Sequence, residues 1–431
     1  MRPRARGRDA EQGNHGWVGV MLFGKLLQRL IRSGEIKVID AGGKLHRFGE
    51  PDGRSVTVRL HDPSLHYKLF LDPALHLGEA YMEGTLTFEE GDLKGLLDIA
   101  LSNMEHIPPH PLHAFIASVQ RVLRPLRTYN PIPRARRNVA HHYDLSGRLY
   151  DLFLDKDRQY SCAYFGSDNE SLEVAQDNKK RHIAAKLRLE PGLRILDVGS
   201  GWGGLALYLA RMSENSEITG LTLSEEQLKL SRERAKAAGL ADRVRFELRD
   251  YREESGRYDR IVSVGMFEHV GPNHYRDYFT KVKELLAPDG VCLLHSIGRM
   301  EPPGGTNPWL RKYIFPGGYT PALSETLTAV ERVGLWVTDI EILRLHYAKT
   351  LAEWRRRFMA NRDEVRKIYD ERFCRMWEYY LTSCEVAFHY LRQMVFQMQL
   401  TRELDAAPLT RDYMLDWERE HATATNLAAT G

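Results

Sequence analysis

Apolar residues at Leu22, Leu26, Leu27, Leu30 and Ile31 recur at three- and four-residue spacing, with Lys25, Arg29 and Arg32 between them. That pattern predicts an amphipathic helix within residues 17–32. Short strands follow at "IKVID", "KLHRF" and "SVTVRLHD", parted by Gly-Gly and Pro-Asp-Gly turns. Residues 63–103 alternate helical and turn signals, closing a small α+β domain over 17–103. Residues 104–140 hold "HIPPHPLH", "RPLR" and "YNPIPRARR". Prolines at this density break packed elements, so this stretch reads as a linker with one short helix. From 141 the pattern alternates strand and helix, as a parallel sheet does. Near-continuous apolar strands are expected at 194–198, 218–221, 244–246, 260–264 and 291–295. An aromatic-rich helical stretch closes the larger domain, over about 363–404. Residues 1–16 read as a basic leader and 405–431 as a tail.

Composition narrows the class. The 431 residues are 43% hydrophobic and 28% charged, with a net charge of +3, ordinary for a globular enzyme-sized chain. The balance does not call for nucleic acid. Charge is uneven, however. Arg2, Arg4, Arg6 and Arg8 crowd the start, and Arg121, Arg124, Arg127, Arg134, Arg136 and Arg137 crowd the linker. Such clusters are either solvated or drawn to anionic headgroups. Cys162, Cys292, Cys374 and Cys384 form no CxxC pair, so neither a disulfide framework nor a metal site is expected. No apolar run reaches the ~20 residues of a membrane span. A cytoplasmic protein, peripheral at a membrane, is the expectation, with Met21 as an alternative start.

Chemistry concentrates at strand ends. "RILDVGSGWGGLALYLA" is a strand, a glycine loop and a helix, with Asp197 before Gly199, Gly201 and Gly203. Glycines admit close backbone approach, and the helix start offers N–H donors. The G-x-G-x-G spacing looks like the S-adenosylmethionine (SAM) loop of Rossmann-like methyltransferases rather than a dinucleotide loop. The next strand ends in "GLTLSEEQ", with Thr222 and Ser224 where an acidic ribose ligand is usual. "LRDYRE" then offers Asp250 near the adenine. A further strand ends in "GMFEHVG". Glu268 and His269 thus stand at a strand's carboxyl end, where open sheets bind ligands.

Taken together, "HHYDLS", "YSCAYF", "MFEHVG", "LLHSIG" and "HYAKTL", with "LDVGSGWGG" and "LTLSEEQ", closely resemble the cyclopropane-fatty-acyl-phospholipid synthases, whose catalytic half the mycolic acid cyclopropane synthases share. Ser200 stands where many relatives carry cysteine. The resemblance implies a Rossmann-like α/β sheet with helices on both faces, preceded by a small α+β domain that engages lipid or a second subunit. It implies transfer of a methylene group from SAM to the cis double bond of an unsaturated phospholipid, with bicarbonate as base. By motif, the bicarbonate cradle maps to Cys162, Glu268, His295, Ile297 and Tyr347. SAM contacts map to Tyr160, Ser161, Asp197, Gly199, Gly201, Trp202, Gly203, Thr222, Leu223, Ser224, Gln227, Asp250 and Tyr251. Cys384 maps to a cysteine sometimes named as catalytic. The implied location is the inner face of the cytoplasmic membrane, against anionic lipid. Relatives of this kind are often homodimers.

The implied reaction explains the residue types. Methyl transfer to an alkene leaves a carbocation, which water would trap, so the pocket must be dry. Tyr160, Tyr164, Phe165, Phe267, Tyr313 and Tyr347 are candidate aromatic walls. A proton beside a carbocation is acidic, so a weak base suffices. Bicarbonate needs an acceptor for its hydroxyl, which Glu268 supplies. Its other oxygens need donors, and His295, Tyr347 and backbone N–H groups near Cys162 and Ile297 are candidates. His269 is expected to point elsewhere. Cys384, among apolar helix residues, also fits a small core hydrophobe. The alternatives are an enzyme ending in a methyl or methylene branch, or a small-molecule methyltransferase.

Overall fold

A computed structural model describes residues 22–51, 53–104 and 146–422. The expected leader, nearly all of the linker, both arginine clusters and most of "HHYDLS" lie outside the described residues.

The first unit runs α1 (Leu22–Leu30), β1 (Gly34–Ile39), β2 (Leu45–Glu50), β3 (Ser55–Leu60), α2 (Leu65–Leu71), α3 (Pro73–Met82), β4 (Leu86–Glu90) and α4 (Leu93–Ser102). Its sheet has the order β2-β1-β3-β4, with β1 and β3 parallel. β4 lies in a stretch expected to be only helix and turn; its "LTFEE" pairs with the edge of β3. The helix starts follow local capping chemistry. Asp72 accepts from the Leu75 N–H at 3.2 Å, with Pro73 at the first turn, and Asp92 accepts from the Gly95 N–H at 2.8 Å. Leu27 and Ile31 are buried with Val38, Val58 and Leu69, while Lys25 and Arg29 stay exposed, as the spacing predicts.

The second unit begins with α5 (Gly147–Asp151) and α6 (Leu172–Lys186). Next come β5 (Arg194–Val198), α7 (Gly204–Met212), β6 (Glu217–Thr222), α8 (Glu225–Ala237), β7 (Val244–Leu248) and β8 (Tyr258–Val264). Then follow α9 (Tyr275–Leu285), β9 (Leu286–Arg299), α10 (Pro308–Tyr313), α11 (Leu323–Val333), β10 (Trp336–Ile342), α12 (His346–Ala360), α13 (Arg362–Ile368), α14 (Glu371–Tyr390), β11 (Gln393–Thr401) and α15 (Asp412–Glu420). The seven strands take the order β10-β11-β9-β8-β5-β6-β7 with helices around them, an α/β sheet of the expected class. β11 alone runs against its neighbours, so the sheet is mixed rather than parallel throughout.

Two expectations are corrected here. The closing helical stretch does not reach 404: α14 ends at Tyr390, Arg392 adopts a left-handed φ of 48°, and β11 enters the sheet between β9 and β10. Part of the expected tail also folds, since α15 docks on α6 through a Glu418–His182 contact.

The two units pack closely through α14, which meets both α3 and α4. Gly78 on α3 permits this approach, because a Cβ there would sit 2.6 Å from the Trp309 ring and 2.7 Å from the Tyr379 ring. Glu79 reaches across to Lys312 (2.6 Å) and the Tyr313 hydroxyl (2.9 Å).

Candidate active site

The glycine loop turns between β5 and α7. Gly199 has φ of 87°, and a Cβ on it would press on Met266 at 2.9 Å, so only glycine fits without strain. The pocket above the loop is lined by Tyr160, Ser161, Asp197, Gly199, Gly201, Trp202, Thr222, Leu223, Gln227, Asp250 and Tyr251. Gly203 and Ser224 are not in its wall. Gly203 instead starts α7 with φ of 82°, tight against Phe246 and Ser231. Ser224 caps α8, its hydroxyl accepting from the Gln227 N–H at 3.3 Å. The Thr222 hydroxyl donates to Gln227 Oε1 at 2.7 Å, which orders the pocket edge. The Asp250 carboxylate is held by Arg252 through Nε (2.8 Å) and Nη2 (2.7 Å).

SAM fits this pocket. Asp197 is 1% exposed at the end of β5, and its Oδ2 has no hydrogen-bond partner among the described residues. Burial pushes its carboxyl up to about 7. A buried polar group without a partner is costly, and a ligand amino group satisfies it.

Beside the pocket lies an apolar cavity of about 1560 Å³. Cys162, Glu268, His295, Ile297, Tyr347 and Cys384 all line it. Tyr160, Ser161, Gly265 and His269 line both spaces and so mark where the two meet. From there the cavity runs into the first unit, past Leu97, Leu69, Val58 and Leu26.

Glu268 leaves the end of β8 on a short helical turn. Its Oε1 accepts from the Ile297 N–H at 2.7 Å, and its Oε2 has no partner among the described residues. Burial pushes the carboxyl up to about 7, partly offset by the Ile297 N–H and by nearby Ser296, whose hydroxyl turns to the Ile297 carbonyl at 2.9 Å. The Ile297 N–H is therefore committed to orienting Glu268, which corrects its expected role as a donor to an anion.

His295 sits mid-sheet on β9, 2% exposed. Burial, aided by the charges of Lys179 and Lys186, lowers its imidazole to about 3, so the ring is neutral. Its tautomer follows from its neighbours. Lys186 donates to Gln397 Oε1 at 2.8 Å, which leaves the Gln397 amide N–H to donate to His295 Nδ1 at 3.1 Å. The ring proton is then on Nε2, available to the cavity. Cys162 is buried, its thiol held well above the usual range by burial and its Sγ donating to the Ala163 carbonyl at 3.3 Å. Burial pushes Cys384 up to about 12, so it is a thiol in the wall. Tyr347 packs edge-on to Phe388 (4.9 Å) and Trp354 (5.8 Å).

Other expectations change. Tyr160 and Tyr347 line the cavity, but Tyr164, Phe165, Phe267 and Tyr313 do not. Tyr164 is stacked between His182 and His346, and Phe267 is fully buried beside Tyr275. Phe315, Tyr319, Tyr379, Tyr380 and Phe388 take those places. His269 does not point away; it borders both spaces, lowered to about 4 by burial and so neutral. Its adjacency to Glu268 in "FEHVG" was the available signal. Gln397 carried none, because its role depends on pairing with β9.

Comparison with known proteins identifies the family. The family described as mycolic acid cyclopropane synthetase matches residues 132–398. A domain described only as of unknown function matches 22–108. A cyclopropane-fatty-acyl-phospholipid synthase of Escherichia coli is 36% identical over 350 residues, covering 81% of this chain and 88% of that protein. A tuberculostearic acid methyltransferase of Mycobacterium tuberculosis is 34% identical over 393 residues, covering 88% and 90%. The crystal structure of the mycolic acid cyclopropane synthase CmaA1 with SAH and CTAB superposes with a TM-score of 0.59 at 32% identity, covering 63% of this chain and 99% of that one.

Proposed function

The chain belongs to the mycolic acid cyclopropane synthetase family and is a SAM-dependent methyltransferase of the cyclopropane synthase type; on that footing we propose that it converts the cis double bond of an unsaturated phospholipid acyl chain to a cyclopropane, with bound bicarbonate as base. One observation carries the reading. The cradle residues open into a long apolar cavity that shares a wall with the glycine-loop pocket. SAM, when bound, supplies an electrophilic methyl carbon.

The protein's own contribution is placement and exclusion. Tyr160, Ser161, Gly265 and His269 border both spaces, so the two meet there, and an olefin in the cavity would approach the cofactor's methyl carbon at that junction in near-attack geometry. The apolar lining keeps out water that would capture a carbocation. The rings of Tyr160, Tyr347 and Tyr380 border the reacting region and tolerate its positive charge. As the ring closes, one C–H bond of the transferred carbon breaks and its electrons form the second new C–C bond. Glu268 and the His295 Nε2–H would hold a hydrogen carbonate, Glu268 accepting from its hydroxyl and His295 donating to an oxygen, and the bound anion would supply the acceptor for this proton. Neither Cys162 nor Cys384 needs to ionise.

The cavity wall reaches Lys25, Arg29 and Arg32 on and after α1, cations suited to a lipid phosphate and to an anionic membrane surface. No described helix is long and apolar enough to cross a membrane. A second reading, methyl transfer that ends in a branch, is favoured by the tuberculostearic acid methyltransferase among the relatives. It shares the first step and differs in the fate of the cation.

Glu268→Ala tests the base site. Turnover should fall at least about a hundredfold, while SAM affinity by titration calorimetry stays within about threefold of wild type. Normal turnover by this variant refutes the assignment.

A further inference from the structure

Lys179 is an ammonium group that the reaction chemistry above does not use. It projects from α6, is 1% exposed, and has no carboxylate within ion-pair distance among the described residues. Its neighbours on the same helix differ: Lys180 pairs with Asp157 and Asp177, and Lys186 with Glu341. Lys179 instead gives its protons to two neutral oxygens, Ser161 Oγ at 2.8 Å and Gln159 Oε1. Burying a cation without an anionic partner is costly. Burial lowers its pKa to about 8, partly offset by the field of buried Asp155 beyond ion-pair distance, so it still carries charge near neutrality.

The surroundings fix which way this charge is relayed. Gln159 cannot turn its amide, because its Nε2 donates to Asp157 at 2.9 Å, so Oε1 must face Lys179. Gln176 clamps the same segment, donating to the Gln159 carbonyl at 3.2 Å and the Ser161 carbonyl at 3.0 Å. Ser161 Oγ accepts from Lys179, so its own proton is left for another acceptor. Gln159 and Ser161 both belong to the wall of the cofactor pocket. At the loop end of β5, Asp197 supplies the pocket's buried acceptor, suited to the ammonium of an amino acid. The α-carboxylate is the anion of the methionine moiety.

We propose that Lys179 is a positioning residue that anchors the cofactor's α-carboxylate through Ser161, completing an amino-acid recognition site whose ammonium half is Asp197. This rests on the glycine-loop pocket being the SAM site. Lysine polarises the Ser161 hydroxyl, which makes it a stronger donor to the anion. The anion in turn compensates the buried charge, so cofactor binding and the stability of this wall are coupled.

The test compares ligands with and without the carboxylate. Lys179→Met keeps length and removes charge. By calorimetry it should bind SAM and S-adenosylhomocysteine about ten- to a hundredfold more weakly, yet bind 5′-methylthioadenosine, which lacks the amino-acid group, within about twofold of wild type. The KM for SAM should rise while kcat at saturation holds within about threefold. Ser161→Ala should show the same ligand selectivity, and the double variant should be no worse than the weaker single one. If Lys179→Met does not fold, the Ser161→Ala selectivity decides alone. Unchanged SAM affinity, or equal losses for SAM and methylthioadenosine, overturns the role of the lysine. Leu223→Trp, which fills the pocket, should weaken both ligands; if it weakens neither, the pocket reading fails and the lysine's role with it.

Discussion

Glu268, in the lining of the apolar cavity, has one oxygen tied to the Ile297 N–H and one buried without a partner among the described residues. Its carboxyl is pushed up to about 7 by burial, so at lower pH it is protonated and loses the charge that makes it a strong acceptor for a hydroxyl. Bicarbonate affinity, measured from turnover at fixed free bicarbonate, should therefore fall as pH drops through about 7 and level off above it. In Glu268→Gln that limb should vanish; its persistence would assign the titration elsewhere. His295 and His269, lowered to about 3 and 4, stay neutral over this range and do not contribute a competing limb. "FEHVG" and "LLHSIG" made Glu268 and His295 legible in the sequence, because Glu268 follows the end of a strand and His295 closes an apolar run. The use of the Ile297 N–H and the place of His269 were not legible. A backbone donor's partner and a side chain's direction are set by neighbours distant in sequence.

Among the elements, β11 changes the account most. "MVFQMQLT" continues the apolar pattern of α14, and a short apolar run reads equally as buried helix or strand. The break is a left-handed Arg392, a residue type that gives no such signal. As a strand, β11 sets Gln397 opposite His295 in register, with Lys186 of α6 behind it. This pairing fixes the imidazole proton on the nitrogen available to the cavity. Gln397→Glu should reverse it, since a carboxylate accepts from Nδ1–H and strips the proton from Nε2. Turnover should fall about a hundredfold, the usual effect of losing one oriented donor, with SAM affinity within about threefold. Undiminished turnover would show that His295 does not act as a donor. The five strands legible from apolar runs are those that carry the cofactor loop and the Glu268 turn. Those missed, β4, β10 and β11, are short or edge strands, or lie beside helical signals.

At the scale of the whole molecule, the reacting centre and the first unit share one cavity. The contact of α3 and α4 with α14 builds it, made close by Gly78 and fixed by Glu79 on Lys312 and Tyr313. Sequence periodicity showed two units but not their common interior, because the residues that meet are more than 200 positions apart. The central claim is that this interior holds a lipid olefin against a methyl donor and a base that takes one proton from the transferred carbon. The most direct test incubates the purified protein with vesicles of unsaturated phospholipid, bicarbonate and SAM bearing a fully deuterated methyl group, followed by mass spectrometry and proton NMR of the acyl chains. The account predicts a cyclopropane ring whose bridging carbon keeps two of the three deuterium atoms, formed only in acyl chains that carried a double bond. A product with all three deuterium atoms in an intact methyl branch, or no labelled acyl chain at all, would contradict it.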